Sequence, residues 1–119
     1  MHPGGSATRG TEGVLLILTN IDSVPGQRIV QHFGLVQGST IRAKHFGRDF
    51  AAGLKNIVGG ELRGYTELLQ ESRAEATSRM VAQAQELGAN AVINVRFTTS
   101  SVAQGAAEIL CYGTAVRVQ

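Results

Sequence analysis

The chain has 119 residues, of which 43% are hydrophobic and 17% charged, and this length suits one soluble domain with a single core. Its net charge of +2 comes from 11 basic and 9 acidic residues, too small an excess for the basic surface that nucleic-acid binding requires. One cysteine excludes an internal disulfide and any multi-cysteine zinc motif, which suits a reducing, cytoplasmic compartment. The longest early apolar run, Val14–Leu18, is too short to cross a membrane.

The first third of the chain predicts a tail followed by two strands. Residues 1–13 are rich in Gly, Ser and Thr without apolar periodicity, so we expect a flexible tail ahead of a single domain over residues 14–119. Val14–Leu18 is continuously apolar, as in a strand that is covered on both faces. After a turn at Asn20–Gly26, alternation predicts a second strand from Arg28 to Val36, with Ile29, Phe33 and Leu35 on one side.

Two helices are predicted in the middle of the chain. Asp49 is placed to cap a first helix with apolar residues at helical spacing, and Gly59-Gly60 ends it. A longer helix begins near Glu61 and closes at Gly88, which can adopt the left-handed conformation of a helix end. Steps of three or four residues predict its core-facing stripe: Tyr65, Leu69, Ser72, Ala76, Met80, Ala84 and Leu87.

The last third predicts two more strands. Ala91–Phe97 alternates as a half-buried strand, Thr98–Gly105 is read as a turn, and the final strand runs from about Ala107 to Val118. Gly113 within it indicates a bend or a close backbone approach. The predicted class is α+β, a two-layer ββααββ arrangement whose antiparallel or mixed sheet has the helices on one face.

Three segments carry a family resemblance. The runs Arg48–Gly60 (RDFAAGLKNIVGG), Glu86–Ile93 (ELGANAVI) and Gly113–Val116 (GTAV) resemble the signature of the YbjQ family, small bacterial proteins labelled heavy-metal-binding. The resemblance implies a dodecin-like subunit that assembles into a closed homopentameric ring. Flavin binding follows by analogy with dodecin only weakly, because this chain has no Trp to stack on the cofactor; we therefore expect no cofactor.

Metal-binding residues are sparse. His32, on the less apolar face of its strand, and Cys111 are the weak candidate ligands, yet no HxxxH, HxH or CxxC spacing is present. Zinc sites need three or four convergent ligands, so a complete site within one chain is not predicted. A site could instead form between chains, where symmetry multiplies one ligand into a ring. Cys111 itself is expected to pack as a small hydrophobe.

A cationic cluster precedes the first predicted helix. Arg42, Lys44 and Arg48, with His45 beside them, are weak candidates for binding an anion near the free amides of the helix start. The alternative is a solvated loop whose charge Asp49 partly neutralises. No Ser-His-Asp or Cys-His spacing is visible, so the sequence does not predict an enzyme.

A second face of the long helix predicts an interface. Ala74, Thr77 and Val81 are small or weakly polar where a solvated face would carry long charged side chains. We therefore expect them to contact a neighbouring subunit. The function that fits is a non-catalytic oligomer binding a small ligand or metal ion at subunit interfaces; the alternative is a structural module whose ring presents a surface to partner proteins.

Overall fold

A computed structural model describes residues 6–9, 15–42, 60–103 and 106–119. These ranges contain β1 (Ser6–Arg9), β2 (Leu15–Leu18), β3 (Ile29–Arg42), α1 (Gly60–Glu86), β4 (Ala91–Ala103) and β5 (Ala106–Val118). The α+β class is confirmed. The predicted ββααββ order is not reproduced, because β1 is an additional strand and the first predicted helix, starting at Asp49, lies outside the described residues.

The strands form one mixed sheet in the order β1-β2-β4-β5-β3. β2 pairs parallel with the start of β4, through Ile17 and Leu18, whereas β1–β2, β4–β5 and β5–β3 are antiparallel. α1 connects β3 to β4 and packs on one face of this sheet. The described residues therefore form two layers, as predicted.

Three strand predictions need correction. Ser6–Arg9, within the predicted flexible tail, pairs with β2 as β1. β3 continues through Gly38 to Arg42 instead of ending at Val36. The predicted turn at Thr98–Gly105 is wrong as far as Ala103, where β4 ends. Threonine and serine are compatible with a pleated strand when a partner strand supplies the hydrogen bonds, and β5 runs beside β4 over this whole length.

A bulge in β3 changes which side chains face α1. Gly34 has φ +100°, and the β3–β5 register shifts between His32 and Gly34. The extra residue breaks the simple alternation, so Phe33 packs against the core beneath α1, while Leu35 is 68% exposed. Sequence alternation alone had placed these two side chains on the same side.

Most of the core lies between α1 and the sheet. Its buried side chains include Leu16, Val36, Met80, Val81, Val92, Ile109 and Cys111. The buried stripe of α1 is thus shifted from the predicted one: Ser72, Ala76, Met80 and Ala84 are buried as predicted, but Leu69 and Leu87 are exposed. At the helix end the prediction is confirmed, because Gly88 has φ +91° and its N–H donates to the Gln85 carbonyl at 3.0 Å.

A smaller core lies on the opposite face of the sheet, at one end. Val24, in the loop after β2, covers Ala91, Ile93, Val116 and Val118 there. That loop is fixed to a bulge in β4, where Asn94 has φ +54°: the Asn94 N–H donates to the Ile21 carbonyl at 2.9 Å. Among the described residues, this loop therefore covers the end of the sheet where β4 begins and β5 ends.

Gly113 confirms the predicted close backbone approach. A Cβ on Gly113 would lie 2.7 Å from Val92 Cγ1 and 2.8 Å from the Ile93 carbonyl oxygen, distances well inside van der Waals contact. Glycine is thus required where β5 passes the bulged part of β4.

The middle of the outer edge of β3 is closed by side chains from α1. The Gln37 backbone N–H donates to Gln83 Oε1 at 2.7 Å, and Arg79 donates to the Ser39 carbonyl oxygen. Arg79 also forms an ion pair with Glu75 at 2.6 Å. Backbone groups on an edge strand would otherwise be available to another chain, so α1 protects this part of the edge.

Candidate functional site

The buried thiol lies in a small sulfur-containing cluster between α1 and β5. Cys111 is fully buried, and its Sγ lies 3.6 Å from Met80 Sδ and 3.8 Å from the Thr77 hydroxyl. That hydroxyl also donates to the Arg73 carbonyl at 2.8 Å. Met80 and Thr77 lie one turn apart on α1, so the helix brings both onto the same strand residue.

Burial raises the pKa of the Cys111 thiol above its ordinary value of 9.0, and the Thr77 hydroxyl offsets part of this. Desolvation disfavours the charged thiolate, which is the form that attacks electrophiles and binds metals. Cys111 is therefore protonated at neutral pH and packs as a small apolar side chain, as expected from its strand position.

We predict that Cys111 is inert to a thiol reagent such as DTNB in the native protein at pH 7–8 and reacts fully after unfolding. Because its pKa is higher in the folded than in the unfolded state, the thiol's contribution to stability is present below about pH 9 and decreases as pH rises above that value. Urea denaturation between pH 7 and pH 10, compared with Cys111→Ala, isolates this contribution. Rapid labelling of native protein would contradict the assigned burial.

The two candidate metal ligands do not converge within one chain. His32 pairs with Val116 and Gly38 pairs with Cys111, so the two positions are five residue steps apart along β5, roughly 17 Å of strand. His32 is exposed. Over the described ranges, no three His, Cys, Asp or Glu side chains are grouped so as to hold a metal ion. Any site containing His32 would need ligands from another copy or from residues outside these ranges.

The predicted interface residues occupy three different environments. Ala74 is exposed, Thr77 is half-buried and Val81 is 0% exposed within the core of its own chain. The predicted second face is therefore incorrect for Val81, which belongs to the core-facing side of α1. Residues at 77, 80, 81 and 84 lie on one side of a helix with 3.6 residues per turn, and the wide sheet beneath α1 covers all of them.

The predicted anion-binding cluster is largely outside the described residues. Arg42 is the last residue of β3, while Lys44, His45 and Arg48 fall in the range 43–59 that the structure does not describe. The anion-binding hypothesis thus remains a prediction from the sequence.

Sequence reasoning missed a sheet surface that carries exposed apolar side chains. We call it the open face: the side opposite α1 on β3 and β5, where Leu35, Ile41, Leu110 and Tyr112 lie among the polar side chains of Gln37, Ser39, Glu108 and Thr114. Leu35 is 68% and Ile41 62% exposed, and among the described residues no element packs over them. The available signal was the continuation of β3, since Leu35, Gln37, Ser39 and Ile41 alternate only if the strand passes through Gly38.

Within the described ranges, no helix combines the length and apolar character that a membrane crossing requires.

Comparison with known proteins places the chain among uncharacterised relatives. A family described as "Putative heavy-metal-binding" (YbjQ) matches residues 16–119. The chain is 69% identical over 101 residues to a UPF0145 protein of Hahella chejuensis, covering 85% of this chain and 97% of the relative. It is 56% identical over 108 residues to a UPF0145 protein of Thermus thermophilus, covering 90% and 95%.

A solved structure supports the fold. A protein of unknown function from the DUF74 family of Pediococcus pentosaceus superposes with a TM-score of 0.59 at 14% identity, covering 87% of this chain and 98% of the other. At that identity the likeness concerns the fold alone.

Proposed function

Since the chain belongs to the YbjQ family, we propose that it is a self-assembling, non-catalytic subunit of a cytoplasmic homo-oligomeric ring. A homopentamer is the proposed stoichiometry. Its small-ligand or metal-ion sites would lie between subunits, where residues of neighbouring copies meet. The open face supports this proposal most directly.

The open face carries exposed apolar side chains, and these support the proposal that another copy covers it. Leu35 and Ile41 are about two-thirds exposed, and on the same face β5 contributes the partly exposed Leu110 and Tyr112. Single exposed apolar side chains are ordinary, whereas several on one face of a sheet favour an interaction surface. Burying Leu35 or Ile41 would contribute roughly 1.5–3 kcal/mol per fully covered side chain.

The proposed metal or ligand site would be shared between copies. His32 and Cys111 are too far apart along β5 to bind one ion, and Cys111 is buried as a neutral thiol. The exposed His32 is therefore the described residue better placed to contribute to a shared site. In a closed ring, one such ligand per chain gives as many ligands as there are subunits.

A module that binds other proteins is the second candidate, because the same open face could be covered by a different polypeptide. Native mass spectrometry of untagged protein separates the two. A homo-oligomer, with or without a retained metal or small molecule, supports the first proposal, and a monomer at the chain mass of 12.6 kDa contradicts it.

We predict that Leu35→Glu dissociates the oligomer while the subunit stays folded. At 68% exposure the new carboxylate is solvated in the monomer, where surface substitutions change stability by about 0.5 kcal/mol or less. In an interface the same carboxylate would be buried without a counter-charge, at a cost of several kcal/mol. Gel filtration with light scattering measures assembly, and circular dichroism measures folding.

Ala74→Glu is the matched control. Ala74 is exposed on α1, so the same charge is introduced on the helix side of the subunit. Dissociation by Leu35→Glu alone assigns the interface to the open face. Dissociation by Ala74→Glu alone would contradict this assignment and support the helix face instead.

A further inference from the structure

The outer side of β4 can be identified from the hydrogen bonds of β3. The Gln37 N–H and the Ser39 carbonyl oxygen form hydrogen bonds with α1 side chains. These two backbone groups therefore point away from β5. Since alternate residues of a strand point to opposite sides, Gly38 exchanges its bonds with its β5 partner, Cys111. The neighbouring β5 residues, Leu110 and Tyr112, then bond to β4.

It follows that Phe97 and Thr99 carry outward-pointing backbone groups. Leu110 pairs with Thr98 and Tyr112 with Arg96, so these two β4 residues direct their N–H and C=O groups towards β5. Phe97 and Thr99, at the alternate positions, direct theirs away from it. The pattern agrees with Val95, whose N–H donates to the Thr19 carbonyl at 2.9 Å on the outer side.

No described strand lies beside this part of β4. β2 pairs with β4 only as far as Val92, and the loop after β2 bonds to Asn94 and Val95. At Phe97 and Thr99 the described strands include no further neighbour on the outer side. Phe97 and Val102 are also exposed.

The two long edges of the sheet therefore differ. On β3, α1 occupies outward backbone groups with Gln83 and Arg79. On β4, residues 97–105 contain no Lys, Arg, Asp or Glu. Charged side chains are the usual means by which proteins keep an edge strand from pairing, and this edge lacks them.

We propose that the outer edge of β4 at Phe97 and Thr99 forms backbone hydrogen bonds with a strand of a second copy of this chain. This inference rests on the proposed self-assembly and assigns it a second contact, separate from the open face. An uncharged edge with small hydroxyl side chains offers little selectivity for a foreign peptide, because in strand addition side-chain pockets provide the specificity. In a ring, by contrast, the same edge recurs in every subunit.

Thr99→Pro tests the proposal. Proline removes the outward N–H of residue 99, and its ring obstructs a neighbouring strand, yet proline is tolerated where the N–H faces away from the sheet. We expect folded protein whose mass falls to that of one chain by light scattering. Thr99→Val, which retains the N–H and the β-branched shape, is expected to assemble as the unchanged protein does.

Amide hydrogen exchange provides a second measurement. In the assembled protein the Phe97 and Thr99 amides should exchange slowly, and in Thr99→Pro the Phe97 amide should exchange at least tenfold faster. A Thr99→Pro variant that assembles normally overturns the edge proposal and leaves the proposed ring intact. A variant that unfolds also overturns it, because residue 99 would then bond within its own chain. If the unchanged protein is itself monomeric, the proposed function fails as well.

Discussion

Gly38→Ala is expected to lower the free energy of unfolding by about 3 kcal/mol, at the upper end of the cost of overpacking. A Cβ on Gly38 would overlap the backbone of α1 at Ala76 and Met80 and would lie 2.8 Å from Arg79 Cβ. The obstruction is mainly helix backbone, which cannot rotate aside as a side chain does. α1 would have to move away from β3, opening the core around Met80.

Urea denaturation followed by circular dichroism measures this loss. Gln37→Ala is the control: its exposed side chain is shortened, while its backbone N–H still donates to Gln83. We expect the control to change stability by about 0.5 kcal/mol or less. A Gly38→Ala protein as stable as this control would mean that α1 does not contact β3 at this position.

Val81→Glu is expected to unfold the subunit rather than only dissociate the oligomer. Val81 is 0% exposed in a core whose other buried members are apolar side chains. An ionised carboxylate without a partner there costs several kcal/mol, a large part of the 5–15 kcal/mol that stabilises a typical domain. The helix signal in circular dichroism should therefore be strongly reduced at pH 7.

Two control variants separate the effect of the buried charge in Val81→Glu from the effect of losing the valine side chain. Val81→Ala should cost only about 2 kcal/mol, from lost burial and a cavity, and Ser78→Glu, at an exposed position of the same helix, should cost little. Burial raises the pKa of the new carboxyl, so the penalty of Val81→Glu should shrink as pH falls towards 4. A folded but monomeric Val81→Glu protein would contradict this expectation and would show that Val81 contacts a neighbouring subunit.

Only part of the environment of Cys111 could be predicted from the local sequence pattern. The alternation around Cys111 predicts burial, and the structure confirms it. The sequence does not show that Met80 and Thr77 contact it, because they are more than thirty residues away along the chain. Likewise, the separation of His32 from Cys111 follows from the β3–β5 register, which a bulge at Gly34 shifts and which no spacing in the sequence encodes.

Four features could be predicted from the sequence alone: the family, the α+β class, the long helix with its glycine end, and a bend or close backbone approach at Gly113. Each of these depends on a motif, on short-range periodicity or on the steric freedom of one residue type. Other features depend on contacts in the folded chain: β3 passes through Gly38, β4 replaces a predicted turn, and Val81 is buried while Leu35 is exposed. The physical reason is that a strand's length and the width of a helix's buried stripe depend on the partner surface. β5 pairs with β4 along Thr98–Ser101, and the sheet beneath α1 is wide enough to bury Val81 together with Met80.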